Sequence, residues 1–201
     1  MSHAFAELTG LPEAELRSLW RRGTPPPPGG IEGLVFRGRN TAAAARFGPA
    51  AGAFAKGFFR TGQEVDGCNF PVAVRGGEWQ VDVAHPFGFF RVEPNSHPVR
   101  GQGPPAALLL DYGRGRAASF RRRGAPRPGL SLRLLELAAR PLRDLLVQPP
   151  DSPPGVLLGR AYFTGTLLVP VSFFVLEALQ PLTEPWAADP AAAGRPRSRA
   201  S

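Results

Sequence analysis

Val156–Leu179 reads VLLGRAYFTGTLLVPVSFFVLEAL, and its interpretation decides the fold. The part from Ala161 to Leu176 holds no charged residue, which raises the question of a membrane helix. It is only 16 residues long, whereas a helical span needs about 20 apolar residues. It also contains Thr164, Gly165, Thr166, Pro170 and Ser172, and it is rich in β-branched and aromatic residues. The segment therefore reads as two buried strands, Val156–Phe163 and Leu167–Leu179, around a turn.

Upstream, the same pattern recurs. Ile31–Arg37 predicts a first strand. Phe58–Val65 and Phe70–Val74 predict two more, divided by the turn dipeptide Asp66-Gly67, and Arg75-Gly76-Gly77 predicts another turn. Glu78–Val83 alternates, with Trp79, Val81 and Val83 on one side. Phe87–Glu93, Ala106–Tyr112 and Leu142–Gln148 complete a set of about eight strands. Helices are fewer. Ala4–Leu8 and Pro12–Trp20 have helical spacing, with Glu13 and Glu15 in a first turn, where the helix dipole favours acid. Two short Ala-rich helices are expected at Thr41–Phe47 and Ala50–Lys56, and one at Leu130–Arg140. Helices do not alternate regularly with strands, so a doubly wound α/β sheet is excluded in favour of an antiparallel sandwich or barrel. Three regions follow: a helical leader and proline-rich linker over 1–29, a β-barrel domain over 30–180, and an Ala/Pro/Arg tail over 181–201, too poor in apolar residues to order itself.

The charge of +8 and pI near 11 suggest nucleic acid. Yet 23 of the 24 basic residues are arginine and only Lys56 is lysine, the mark of a GC-rich codon bias rather than of a phosphate-binding surface. The one cluster, Arg114, Arg116, Arg121, Arg122, Arg123 and Arg127, has a single aromatic, Phe120, and so lacks a base-stacking platform. No specific nucleic-acid partner is expected. The single cysteine, Cys68, excludes an intrachain disulfide. With an N-terminus that lacks the apolar core of a signal peptide, it points to a cytoplasmic protein. No transmembrane segment, metal site or cofactor is implied: there is no zinc-finger spacing, Walker loop, dinucleotide fingerprint, nucleophile elbow or H-E-x-x-H. No catalytic residue is assigned.

Ionisable residues inside apolar strands are the candidates for chemistry: Arg91, Asp111, Arg143, Asp144, Arg160 and Glu177. Strand alternation puts Arg91 on one face with Phe87 and Phe89, and Arg160 on one face with Tyr162. A charge facing inward must be paired or must receive a charged ligand. His3, His85 and His97 have no partner at catalytic or metal spacing.

A strand followed by two short helices and then a run of antiparallel strands resembles the intracellular fatty-acid-binding proteins, in which a helical lid lies between the first two strands. That family binds its ligand's carboxylate with an Arg-x-Tyr pair on a late strand, and Arg160-Ala161-Tyr162 stands on the penultimate strand here. Gly33–Gly38 (GLVFRG) is similar to the opening G-x-W-x-G of the lipocalins, off by one residue and with Phe for Trp. The resemblance covers the layout of about Ile31–Leu179. It implies a calycin-like barrel enclosing a small apolar ligand such as a fatty acid or another lipid-like molecule; the helix expected at Leu130–Arg140 is an insertion that the family lacks. Arg160, Tyr162, Arg91, Phe89 and Asp111 are the ligand-binding residues this expectation selects. Two alternatives stand beside it: an interaction or structural protein whose barrel is filled by its phenylalanines, and an enzyme using Asp111, Asp144 or His85 in the cavity.

Overall fold

In the computed structural model the first strand of the sheet is hydrogen-bonded on one side to the second strand and on the other to the last, so the sheet closes on itself. The structure describes residues 4–41, 52–95, 107–114, 130, 131, 134, 137, 140–164, 168–184 and 186. Its elements are α1 (Phe5–Gly10), α2 (Glu13–Arg22), β1 (Leu34–Asn40), β2 (Ala53–Thr61), β3 (Glu64–Phe70), β4 (Val72–Arg75), β5 (Glu78–Val81), β6 (Phe87–Pro94), β7 (Leu108–Asp111), β8 (Leu142–Val147), β9 (Val156–Thr164) and β10 (Leu168–Pro181). The barrel order is β1-β10-β9-β8-β7-β6-β3-β2, every pairing antiparallel. β4 and β5 form a separate hairpin set between β3 and β6. This is the expected mainly-β class, an eight-stranded antiparallel barrel compatible with a calycin-like layout. Its connections β1–β2, β7–β8 and β9–β10 all leave from one end, called the upper end below.

Two expectations need correction. Ala53–Lys56 belongs to strand β2, not to a helix; its pairing with both β1 and β3 outweighs the helix preference of alanine. Thr41 and Gly52, also within the expected pair, are not helical, and its other residues, within 42–51, lie outside the described chain. Asp66-Gly67 is not a turn but lies within β3. The chain reverses instead at Gly62-Gln63, where Gly62 takes φ 65°, a conformation that suits glycine. The Gly76-Gly77 turn is where the sequence puts it, with φ 58° and 87°. Leu130, Ser131, Leu134 and Leu137, within the expected inserted helix, are helical, and the three leucines are exposed.

Much of the barrel wall is apolar on both faces because both faces are covered there. Outside β8–β10, the helices bury Phe5, Leu8, Leu16, Leu19 and Trp20 against Leu145, Val147, Val156, Leu158, Tyr162, Phe173 and Val175. α2 suits this place: its apolar residues share one face, and Glu13 and Glu15 at its start and Arg21 and Arg22 at its end complement the dipole. Outside β1–β3 and β6, Val35, Ala55, Phe59, Cys68, Phe70 and Phe89 are covered by Trp186, with Val72, Val81 and Leu182 packed alongside. Residues 187–201 lie outside the described chain.

Inside the barrel, Phe36, Phe58, Phe90, Leu110, Leu146, Leu157, Phe174 and Leu176 are 0–2% exposed. Three glycines make room for them. Gly38, Gly67 and Gly159 are paired across the strands with Phe54, Phe90 and Phe174, and a methyl group built on any of these glycines would overlap the paired ring. Such glycine–aromatic pairs let a narrow barrel hold large rings. Gly159→Ala is therefore expected to destabilise the protein by about 1–3 kcal/mol through overpacking, and Phe174→Leu in the same chain to recover part of that loss. Urea unfolding measures both; an unchanged midpoint for Gly159→Ala would contradict the packing described.

Candidate functional site: a buried lysine across the barrel lumen

On β2 the alternation Phe54, Lys56, Phe58 faces the lumen, and on β8 so does Leu142, Asp144, Leu146. β2 and β8 stand four strands apart whichever way the ring is followed. The Lys56 ammonium nevertheless meets the Asp144 carboxylate, with Nζ 3.1 Å from Oδ2, so their ion pair crosses the lumen. Lys56 is 3% and Asp144 4% exposed.

Two neighbours complete the cluster. Lys56 Nζ donates to Asn69 Oδ1 at 3.0 Å and to the Tyr112 hydroxyl. The Tyr112 hydroxyl donates to Asp144 Oδ2 at 3.1 Å. Asn69 is held in turn by its Nδ2 donating to the Gly88 carbonyl at 3.1 Å. Gly88 has φ 56°, and a side chain there would press on the Asn69 amide. Four rings surround the amine: Tyr112 and Phe90 with centroids at 5.1 Å, Phe54 at 5.3 Å and Phe174 at 5.5 Å. Their faces favour a cation, though less than the water they replace.

Burial governs the titration of these groups. Desolvation lowers the Lys56 pKa below its ordinary value, and Asp144 opposes but does not cancel this. Desolvation pushes the Tyr112 phenol well up, with the Asp144 charge adding to it, so Tyr112 keeps its proton. Cys68, behind Lys56 on the outer face, is likewise pushed well up by burial and stays an unreactive thiol. The cluster thus unites an amine whose burial favours loss of its proton, a carboxylate beside it and a phenol that holds its proton.

Above the cluster, on the β8–β10 side, the luminal face of the described rim carries apolar residues. Leu142 pairs with Phe163, and Phe163 with Val169. Phe163 is 43% and Val169 56% exposed.

The five residues singled out from the sequence all lie on the outer face, in three places. Arg160 and Tyr162 are neighbours beneath α2, with the Arg160 guanidinium 4.8 Å from the Phe173 ring and 5.4 Å from those of Trp20 and Tyr162. Burial raises the Tyr162 phenol, and the Arg160 charge opposes it. Arg91 and Asp111 face one another across β6 and β7 within an ionic belt. Arg91 binds Asp66 at 2.7 Å and also Glu64, while Asp111 binds Arg143 at 3.0 Å. Phe89 packs in the outer cluster with Phe59, Phe70 and Trp186. Of the other candidates, His85 is exposed with Nδ1 2.8 Å from Asp82. His3, His97 and the arginine cluster beyond Arg114 fall outside the described residues. Asp144 was visible in the sequence as a charge in an apolar strand. Lys56 was hidden in the Ala-rich stretch read as helix; its signal was that it is the only lysine.

Among the described residues no group of three or more His, Cys, Asp or Glu is placed to hold a metal ion, and no helix is long and apolar enough to cross a membrane. Fold and site together define a closed antiparallel barrel with an amine–carboxylate–phenol cluster bridging its lumen. No protein family, curated protein or solved structure matches the chain.

Lys56→Met is expected to destabilise the protein by about 3–5 kcal/mol, because it leaves Asp144 buried without its cation. Lys56→Met combined with Asp144→Leu should recover most of that loss. Denaturant unfolding of both variants checks this; a double variant as unstable as the single one would show that the two residues do not act as a pair.

Proposed function

We propose that the protein binds a small, mainly apolar molecule with an uncharged oxygen-bearing head at the upper end of the barrel. The observation that carries this reading is the polar cluster itself, seated among four aromatic rings near the upper end of the barrel. Well-formed binding sites commonly combine an apolar lining with a few converging polar groups. Phe163 and Val169 leave apolar surface exposed on the luminal side of the rim, which supports entry of an apolar chain there.

Charge selects the head. Asp144 already neutralises Lys56, so a ligand carboxylate would bring an unbalanced anion into a low-dielectric lumen. An alcohol, aldehyde, ketone or ester exchanges hydrogen bonds with Lys56, Tyr112 and Asn69 without that cost. Among lipid-like ligands this favours an uncharged head over a free fatty acid. Phe36, Phe58, Leu110, Leu146 and Leu176 occupy the rest of the lumen, which favours a short molecule. The same packing supports the second reading, a filled barrel acting through its outer surface.

Isothermal titration with 1-decanol and with decanoate tests the choice. Decanol is expected to bind in preference to decanoate. Asp144→Asn, which keeps the shape and removes the anion, should move the preference toward decanoate by about tenfold, the low end of a charge-assisted hydrogen bond. No binding of either, with no small molecule in an organic extract of the purified protein by mass spectrometry, overturns the proposal in favour of the filled barrel.

A further inference from the structure

We infer that Lys56 is a carbonyl-capturing amine, able to form an imine with an aldehyde or ketone that enters the upper end of the barrel. The inference rests on the ligand-binding reading above and goes beyond it by assigning a covalent step to one atom, Lys56 Nζ.

Three observations support it. First, the chain uses arginine at 23 of its 24 basic positions and keeps lysine only here. A guanidinium is permanently charged and forms no imine, whereas a lysine in an apolar setting can lose its proton and act as a nucleophile. Second, the groups that imine formation needs converge on Nζ. Asp144 Oδ2, at 3.1 Å, is placed to take a proton from the ammonium. The Tyr112 hydroxyl touches both Nζ and Asp144 and is placed to give a proton to the carbonyl oxygen. Third, Lys56 is buried among Phe54, Phe90, Tyr112 and Phe174, and an apolar enclosure that excludes water favours the imine over its hydrolysis.

The step balances within these groups. Asp144 takes one ammonium proton, and the free amine adds to the carbonyl carbon, forming the C–N bond. The oxygen is protonated by Tyr112, which regains a proton from the nitrogen through Asp144. The resulting carbinolamine loses water as the C–O bond breaks, leaving C=N between ligand and Lys56. No oxidant, reductant or metal is required.

Apart from the chain's α-amino group, Lys56 is the only primary amine, which makes the test direct. The full-length protein is incubated with decanal and cyanoborohydride at pH 7.5, native and in urea, and the adducts are located by peptide mass spectrometry. 1-Decanol binding is measured in parallel. The expected result is reduction-trapped decanal on Lys56, formed faster in the native than in the unfolded chain, since burial lowers the Lys56 pKa and leaves more free amine at this pH. If decanol binds but decanal is trapped only on the α-amino group, or on Lys56 no faster than in urea, the imine is overturned and the binding site stands. If decanol does not bind and Lys56 is not labelled, both fall.

Discussion

The Lys56–Asp144 bridge can exist only because the sheet closes. Its two strands are as far apart in the ring as any pair, and pairing of β1 with β10 is what brings their luminal faces within reach. Closure in turn depends on fitting large rings into a narrow bore. The Gly38–Phe54, Gly67–Phe90 and Gly159–Phe174 pairs meet that requirement, each glycine yielding the space its partner fills. All three of those rings, Phe54, Phe90 and Phe174, also border the amine. The packing that shapes the barrel is thus also the wall of the site.

A buried ion pair is a poor device for stability alone, because taking both charges from water offsets their attraction. Here the other two protons of the Lys56 ammonium go to Asn69 and Tyr112, and Tyr112 also donates to Asp144, which fixes the geometry of the pair. A lumen filled with leucine and phenylalanine from end to end would meet the needs of the fold without these four residues. That they are present, and sit near the rim rather than at mid-barrel, is the physical basis for assigning them a function. The outer charges differ: Glu64, Asp66, Arg91, Asp111 and Arg143 neutralise one another along the wall.

Strand content, the two leading helices, the Gly76-Gly77 reversal and the antiparallel class were legible because each rests on local pattern. Which face of each strand points inward was not. Val156–Thr164 is apolar on both sides, since Leu157 and Ala161 face the lumen while Leu158 and Tyr162 face the helices. Alternation therefore put Arg160 and Tyr162 correctly on one face without revealing that α2 covers it. The start of β2 was obscured by alanine, whose helical preference is local while the pairing that overrides it is not. Asp66-Gly67 resembled a turn for the same reason: the need for glycine beneath Phe90 and for a carboxylate beside Arg91 arises only in the assembled sheet.

Everything functional follows from the state of one amine, and the composition gives that amine a spectrum of its own. Lysine labelled with ¹⁵N and ¹³C yields one side-chain signal set, followed by NMR as pH is raised. The account predicts ring-shifted resonances, contacts to the protons of Phe90 and Tyr112, and a midpoint below the value near 10.4 of a free lysine. A narrow, unshifted signal that titrates at the free value would place Lys56 in water and contradict the account.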